Sequence, residues 1–189
     1  VILQSLIVDK TINVNELLIG DKNAIMVAAR ILGYGKEYEF EYDGMEQSVD
    51  LTKLEPIKID FKNLPKGTNE FSYKLPNSKR TITFKLLNGK DEKEIDLENK
   101  ALEKISKLQT SGLTTRFKKM ILSVDGNSEK SYINNFVDNE FLSRDSLAFR
   151  QHLNGITPDI DMTTFVSDSS GKEIEVVIPI TVRFFWPTT

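Results

Sequence analysis

The spacing of hydrophobic residues changes several times along this 189-residue chain, and each spacing predicts a particular element. In "KEYEFEY" the aromatic residues Tyr38, Phe40 and Tyr42 alternate with acids, which predicts a strand with one face in water. The following "SVDLTKLEP" is its predicted partner strand. A second hairpin is predicted from alternating apolar residues on each side of the turn "PNSK": Phe71, Tyr73, Leu75, Ile82, Phe84 and Leu86.

Two longer stretches have a helical spacing. In "GDKNAIMVAARILGYG" Asp21 is predicted to cap the helix and Gly33 to end it, and the predicted apolar face consists of Ile25, Ala28, Ala29 and Leu32. Residues 91–110 form a second predicted helix with an apolar stripe of Leu97, Ala101, Ile105 and Leu108. Two shorter helices are predicted in "SEKSYINNFVDN" and "SRDSLAFRQHL", whereas the preceding "LTTRFKKMILSVDGN" is predicted to be a strand.

The last predicted hairpin turns through "SSG" and continues to the aromatic ending "RFFWPTT". Every even position from Ile174 to Trp186 is apolar, which predicts that Phe184 and Trp186 share one buried face and leaves Phe185 unexplained. Pro179 cannot donate a ladder hydrogen bond, so this strand is predicted to lie at a sheet edge. Its apolar face packs either in the protein's own core, as most apolar stripes do, or on another subunit.

These elements predict an α+β fold in which antiparallel hairpins pack with several short helices, because hairpins and helices occur in separate runs. A chain of this length is expected to form one compact domain spanning residues 1–189. A division into two lobes, 1–55 and 56–189, is also compatible with the pattern.

Composition and charge narrow the classes of function. The net charge of -3 and the pI near 5.4 disfavour a general nucleic-acid binder, because phosphate binding requires a basic face. The absence of cysteine excludes thiolate catalysis and sulfur-ligated zinc, and we expect no metal and no cofactor. No apolar run reaches the length that spans a bilayer, so no membrane partner is expected.

Residues that could carry chemistry are few. A hydrolase whose site combines His152, the only histidine, with Asp159 and Asp161 is one alternative to a non-enzymatic role. A small nucleic-acid-binding module is another, and it would use the basic cluster of Arg116, Lys118 and Lys119. No nucleophile elbow or phosphate-binding loop can be assigned from local spacing.

Four phrases carry a family resemblance: "NELLIGDKNAIMVAARILGYGKEY", "KLLNGKDE", "SRDSLAFRQHL" with "TPDID", and the closing "RFFWP". In this order, and over nearly the whole chain, they resemble the baseplate hub assembly proteins of T-even-like contractile-tailed bacteriophages. Many members of that family carry paired cysteines in their hairpins. Here Ser167 and Ser170 stand at that spacing, so the turn is predicted to be held by Asp168, Gly171 and backbone hydrogen bonds instead of a metal.

The resemblance implies a non-enzymatic protein that assembles or forms part of the baseplate hub by binding other tail proteins. It would act in the host cytoplasm during assembly, and in the virion baseplate if it stays in the particle. A homo-oligomer is compatible with an exposed edge strand. The matched phrases contain the candidate partner-binding residues, each of which has an alternative structural role: Asp21, Arg30, Tyr34, Asp145, Arg150, Phe184, Phe185 and Trp186.

Overall fold

The structure, a computed structural model, describes residues 2–59, 67–105 and 112–186. Within these ranges the fold is α+β and its strands pair antiparallel, which confirms the predicted class. The α-helices are α1 (Ile2–Leu6), α2 (Ile19–Tyr34), α3 (Gly89–Ile105), α4 (Gly112–Met120), α5 (Lys130–Asn135), α6 (Ser143–Ile156) and α7 (Val182–Phe185). The strands are β1 (Glu37–Tyr42), β2 (Met45–Asp50), β3 (Phe71–Lys74), β4 (Thr81–Phe84), β5 (Ile121–Val124), β6 (Thr163–Ser167) and β7 (Glu173–Val177).

The chain divides into two compact units. Unit 1 comprises Val1–Ile12, Gly20–Lys58 and Pro158–Thr189, and unit 2 comprises Asn13–Ile19 and Ile59–Thr157. The lobes predicted from the sequence place the last hairpin in the second lobe, whereas the structure places it in unit 1. The reason is a shared core, because Val166 of β6 and Val176 of β7 pack with Phe40 of β1.

Unit 2 is built on a three-stranded sheet in the order β3-β4-β5. The predicted second hairpin is confirmed, with Phe71 opposite Phe84 and Tyr73 opposite Ile82. Phe84 meets Phe149 of α6 edge to face, with ring centroids 4.9 Å apart. Both rings are fully buried, so the sheet and α6 share the centre of the unit 2 core.

Two predictions in unit 2 need correction. Gly112–Met120 is helical, so only the end of the predicted strand is β5; Phe117 and Met120, three residues apart, are both buried on α4. Helix α3 exists, but Leu97 and Ala101 are exposed, and its buried apolar side chain among those the structure describes is Ile95. Asp91, one turn before Ile95, is also buried and pairs at 2.7 Å with Lys85, which directly follows β4; this pair orients the helix. Residues 106–110 of the predicted helix lie outside the described residues.

Unit 1 contains two separate two-stranded hairpins, β1-β2 and β6-β7. The first is closed by Asp43 and Gly44, whose φ angles of 51° and 73° form the primed turn that matches strand twist. Strand β2 begins earlier than predicted, and the predicted "LTK" portion is a 3-10 turn. In the second hairpin, Asp168 accepts hydrogen bonds from the main chain of Ser170 and Lys172, as predicted for that turn.

Helix α2 ends and turns differently from the prediction. It begins at Ile19, so Asp21 lies within its first turn, and Gly35 with φ of 85° follows its end instead of Gly33. Its buried residues are Gly20, Val27 and Arg30, whereas Leu32 is 88% exposed. Packing of Val27 against the hairpin core selects this face over the more apolar one.

The aromatic ending is not a continuous strand. Strand β7 stops at Val177, and after Pro179 the chain forms the short helix α7. Phe184 is completely buried in the unit 1 core, as predicted, but Trp186 is 55% exposed, against the prediction. Proline interrupts the ladder, and a helical turn replaces the alternation of sides that the prediction assumed.

Candidate partner-binding surface

Arg30 is the centre of an aromatic cluster in unit 1. Its guanidinium carbon lies 5.1 Å from the centroid of Tyr34 and 5.7 Å from that of Tyr38. Two of its nitrogens donate to the carbonyl oxygens of Gly35 and Glu37, both at 3.2 Å. The side chain is only 5% exposed, and its Nε has no hydrogen-bond partner. The cation is therefore held by carbonyls and ring faces, without a carboxylate among the described residues.

Tyr38 connects this cation to the C-terminal aromatics. Its hydroxyl donates to the Pro179 carbonyl at 2.9 Å, and its ring meets Phe184 edge to face at 4.8 Å. Phe185 is 5.2 Å from Phe184, and Trp186 is 6.5 Å from Phe185, both in tilted contacts near the perpendicular. The contacts form one chain of side chains that starts at Tyr34 and ends at Trp186.

This aromatic chain, defined as Tyr34, Arg30, Tyr38, Phe184, Phe185 and Trp186, contains five of the eight candidate residues. Its two ends are in solvent, with Tyr34 51% exposed and Trp186 55% exposed, while its middle is buried. Burial of the middle fixes the position of the exposed rings. The aromatic chain can therefore present two large amphipathic side chains at a small cost in conformational entropy.

A cavity of about 340 Å³ adjoins the aromatic chain. Glutamates dominate its wall, together with the two arginines Arg30 and Arg183: Glu37, Glu39, Glu41 and Glu46. Lys36 sits at 3.8 Å from Glu37 and at 2.9 Å from Asp50. A hydrogen bond from Thr52 and the Lys36 ammonium lower the pKa of Asp50 to about 2. The other three glutamates have no ion-pair partner in the part of the chain that the structure describes.

Asp21 belongs to unit 1 but lies in the opposite end of α2 from Tyr34. Burial, and then the charge of Asp159, raise the pKa of its carboxyl. Asn23 donates to Asp159 at 3.0 Å, so this end of the helix has its own polar cluster. Asp21 is thus separate from the aromatic chain, by about 20 Å along a helix of this length.

Asp145 and Arg150 belong to unit 2. Asp145 is completely buried and accepts from the main-chain N–H groups of Asn77 and Ser78 at 2.8 and 2.9 Å. Burial by itself would raise the pKa of this carboxyl, but the bonds from Ser78 and Asn77 outweigh it and lower the pKa to about 2. Asp145 therefore ties α6 to the β3-β4 turn, whereas Arg150, on the same helix, is exposed.

The residues considered for catalysis have local structural partners. His152 stacks on Tyr73 with centroids 4.3 Å apart, and burial lowers its pKa. Asp161 accepts from both the hydroxyl and the N–H of Thr163, and these bonds lower its pKa. Within the described ranges, no group of three or more acids and histidines is arranged to hold a metal ion.

The basic cluster considered for nucleic-acid binding lies on α4, and each cation has a carboxylate partner. Arg116 pairs with Glu92, Lys118 with Asp138 at 2.7 Å, and Lys119 with Glu94 at 2.6 Å. The hydrogen bond from Lys119 lowers the pKa of Glu94. The three charges are therefore largely compensated within the protein, which leaves little basic field for a phosphate backbone.

The acidic wall of the cavity was missed in the sequence. The alternation in "EYEFEY" predicts a solvated face, because acids at every second position are typical of the outer side of a hairpin. Only the structure shows that this face borders a cavity with Arg30 and Arg183. The charges could have indicated this surface, since Glu41 faces Glu46 across the hairpin and like charges in that position are unfavourable.

Comparison with family models, with curated proteins and with solved structures found no significant match. Among the helices of the described residues, none combines the length and the apolar character that crossing a membrane requires.

Proposed function

We propose that this chain is a non-enzymatic protein that assembles, or forms part of, the baseplate hub of a contractile bacteriophage tail by binding other tail proteins. The four stretches of sequence that resemble baseplate hub assembly proteins support a role in phage tail assembly. The observation that carries the binding role is the aromatic chain, whose two ends are exposed while its middle is locked in the core.

The chemistry of these residues suits a protein interface. Trp, Tyr and Arg dominate the residues whose truncation weakens protein complexes most, because they bury much area and still offer a polar group. Unit 1 also carries eleven of the fifteen large apolar side chains that the described residues expose: Leu6, Val8, Ile12, Leu32, Tyr34, Tyr42, Ile57, Phe165, Val177, Ile180 and Trp186. We therefore place the surface that binds other tail proteins on unit 1 in this proposal.

The proposal is tested by co-purification during phage infection. A tagged chain is isolated from lysate, and purified particles are examined separately for the same chain. Recovery with tail proteins and presence in particles is expected for a hub component, and recovery from lysate alone would identify an assembly factor. Recovery without any tail protein would refute the proposal.

Point variants locate the contact surface better than truncation does. Removing residues from Arg183 onward would delete buried Phe184, so lost binding could reflect lost folding. The double variant Tyr34→Ala with Trp186→Ala removes only exposed rings, and we expect at least about a tenfold loss of tail-protein recovery. Leu97→Ala, which removes a 69% exposed apolar side chain of unit 2, is the control and should bind normally.

A further inference from the structure

One edge of β1 has unused main-chain groups. The two-residue turn at Asp43 and Gly44 makes Tyr42 and Met45 a hydrogen-bonded pair, and Leu51 donates to the Lys36 carbonyl at 2.9 Å. Hydrogen-bonded pairs alternate along an antiparallel ladder. The even residues of β1 therefore bond to β2, and the N–H and carbonyl groups of its odd residues point to the outer edge.

The outer edge is occupied at one end only. The carbonyl of Glu37 accepts from Arg30, as the alternation requires. The main-chain groups of Glu39 and Glu41 form no hydrogen bond outside the hairpin within the described residues. Five consecutive residues of β1, from Glu37 to Glu41, line the cavity of about 340 Å³. The unpaired edge therefore belongs to a stretch of β1 that borders the cavity.

The side chains above this edge are negative. Glu37, Glu39 and Glu41 share the exposed face of β1, and Glu46 lies directly opposite Glu41 on β2. Such facing like charges cost stability unless a cation is present between them. Buried Arg30, whose Nε lacks an acceptor, lies in the wall of the same cavity. An extended polypeptide with basic side chains supplies both cations for the glutamates and carbonyl acceptors for the edge.

We propose that the outer edge of β1 binds an extended segment of a partner protein that carries lysine or arginine at every second position. The segment adds an antiparallel strand to the β1-β2 hairpin, so that its basic residues lie opposite Glu39 and Glu41. This inference rests on the proposed function for the existence of a protein partner, but it specifies the chemistry of the segment that is bound. A second copy of β1 is a poor occupant, because it would place glutamate against glutamate.

The binding test uses two synthetic peptides on the full chain. One is a fluorescent ten-residue peptide of alternating lysine and threonine, and the other alternates glutamate and threonine. Fluorescence anisotropy is measured at low and at high salt. The lysine peptide is expected to bind, and its affinity should fall at high salt, whereas the glutamate peptide should not bind. Equal binding of both peptides, or of neither, would overturn the inference.

A second pair of peptides separates strand addition from simple charge attraction. In an antiparallel pair, lysines opposite Glu39 and Glu41 donate their N–H groups to the edge, while the threonine N–H groups point away. Methylating the lysine amides should abolish binding, and methylating the threonine amides should leave it nearly unchanged. If the two methylated peptides bind equally, the edge is not paired and the inference fails.

Variants of the protein locate the site. Replacing Glu39 and Glu41 by Gln should lower the affinity for the lysine peptide by about two- to thirtyfold, since each exposed charge pair contributes only modestly to the binding free energy. Glu70→Gln with Glu98→Gln removes the same charge from unit 2 and is the matched control. Glu39→Pro removes one outward N–H without touching the β1-β2 ladder, and it should bind about two- to tenfold more weakly than Glu39→Gln.

The two proposals can fail separately. Loss of peptide binding with tail-protein recovery intact would reject the basic strand and leave the hub role standing. Peptide binding that is weakened as expected in the Glu39 and Glu41 variant, combined with no tail-protein recovery, would retain the basic-strand site and reject the hub role. A dimer that disappears in Glu39→Pro would instead identify a second copy as the occupant and overturn the inference.

Discussion

Unit 1 and unit 2 are both α+β, yet their surfaces differ in the number of exposed apolar side chains and in the pairing of their charges. Unit 2 has a three-stranded sheet whose buried Phe84 meets Phe149 of helix α6, and its cations on α4 are paired with acids. Unit 1 has two separate two-stranded hairpins and most of the exposed large apolar side chains. It also has three glutamates on one face that form no ion pair with any residue the structure describes.

The difference follows from strand number. A third strand gives unit 2 a central strand, β4, whose two edges are both paired, and a sheet wide enough to be covered by helices. A two-stranded ribbon has two edges and no centre, so β1 retains free main-chain groups. Unit 2 therefore exposes fewer large apolar side chains, and unit 1 exposes most of those found in the described residues.

The largest expected effect comes from the buried part of the aromatic chain. Phe184→Ala should lower the free energy of unfolding by about 3–5 kcal/mol, because it empties a completely buried ring site in the unit 1 core. Urea unfolding followed by circular dichroism measures the loss. Trp186→Ala, two residues on and half exposed, should cost less than about 1 kcal/mol. Equal losses would mean that Trp186 contributes to the core as much as Phe184 does, which contradicts their different burial.

The corresponding weak point of unit 2 is polar. Asp145→Ala should cost about 2–4 kcal/mol, because it leaves the N–H groups of Asn77 and Ser78 without acceptors inside the protein. The same urea titration measures it. Asp138→Ala removes the partner of Lys118 at an exposed position and is the control, with an expected cost below about 1 kcal/mol.

Acid titration gives an independent test of Asp145. Its pKa is about 2 in the folded protein, below the ordinary 3.8, so its contribution to stability is complete above 3.8 and is lost as pH falls towards 2. Asp145→Asn should lack that part of the acid dependence. If the variant and the wild type lose stability in parallel between pH 4 and pH 2, the carboxylate is not the anchor of the turn.

An intermediate effect is expected at the start of α2. A Cβ at Gly20 would lie 1.8 Å from the carbonyl oxygen of Pro158, so Gly20→Ala should cost about 1–3 kcal/mol through forced displacement. Gly33→Ala, in the same helix with open space around it, should instead stabilise by about 0.5–1 kcal/mol. Thermal unfolding of both variants checks the sign. A stabilising Gly20→Ala would contradict the close approach of these segments within unit 1.

The smallest effect concerns the acidic face. Glu41→Lys places opposite charges across the hairpin from Glu46 and should raise stability by about 0.2–1 kcal/mol at low salt. The gain should fade at high salt, whereas Glu39→Lys, opposite Ser48, should gain less. A loss of stability in Glu41→Lys would show that other groups already compensate the charges of the facing glutamates. The charges of unit 1 would then be paired in the same way as the cations on α4 of unit 2.

Much of the fold could be predicted because its signals are local. The alternation of aromatic residues predicted β1, because it depends only on neighbouring residues. The turn at Asp43 and Gly44 was not predicted, although the preference of this pair for positive φ is also local. Less of the site could be predicted. The motif resemblance included Arg30 and Trp186, but nothing in their spacing indicated that one chain of ring contacts connects them.

Local sequence was sufficient for the α+β class and for most of its hairpins and helices, but it predicted strand within Gly112–Met120 and at Val182–Phe185, which are helical. Tertiary structure alone decided which face of α2 is buried, where β7 stops and which acids surround a cavity. The physical reason is distance along the chain: the hydroxyl of Tyr38 is bound by a carbonyl at Pro179, and Val27 is buried by residues of the last hairpin. Such contacts depend on the packing free energy of the whole unit, and no local window contains both partners.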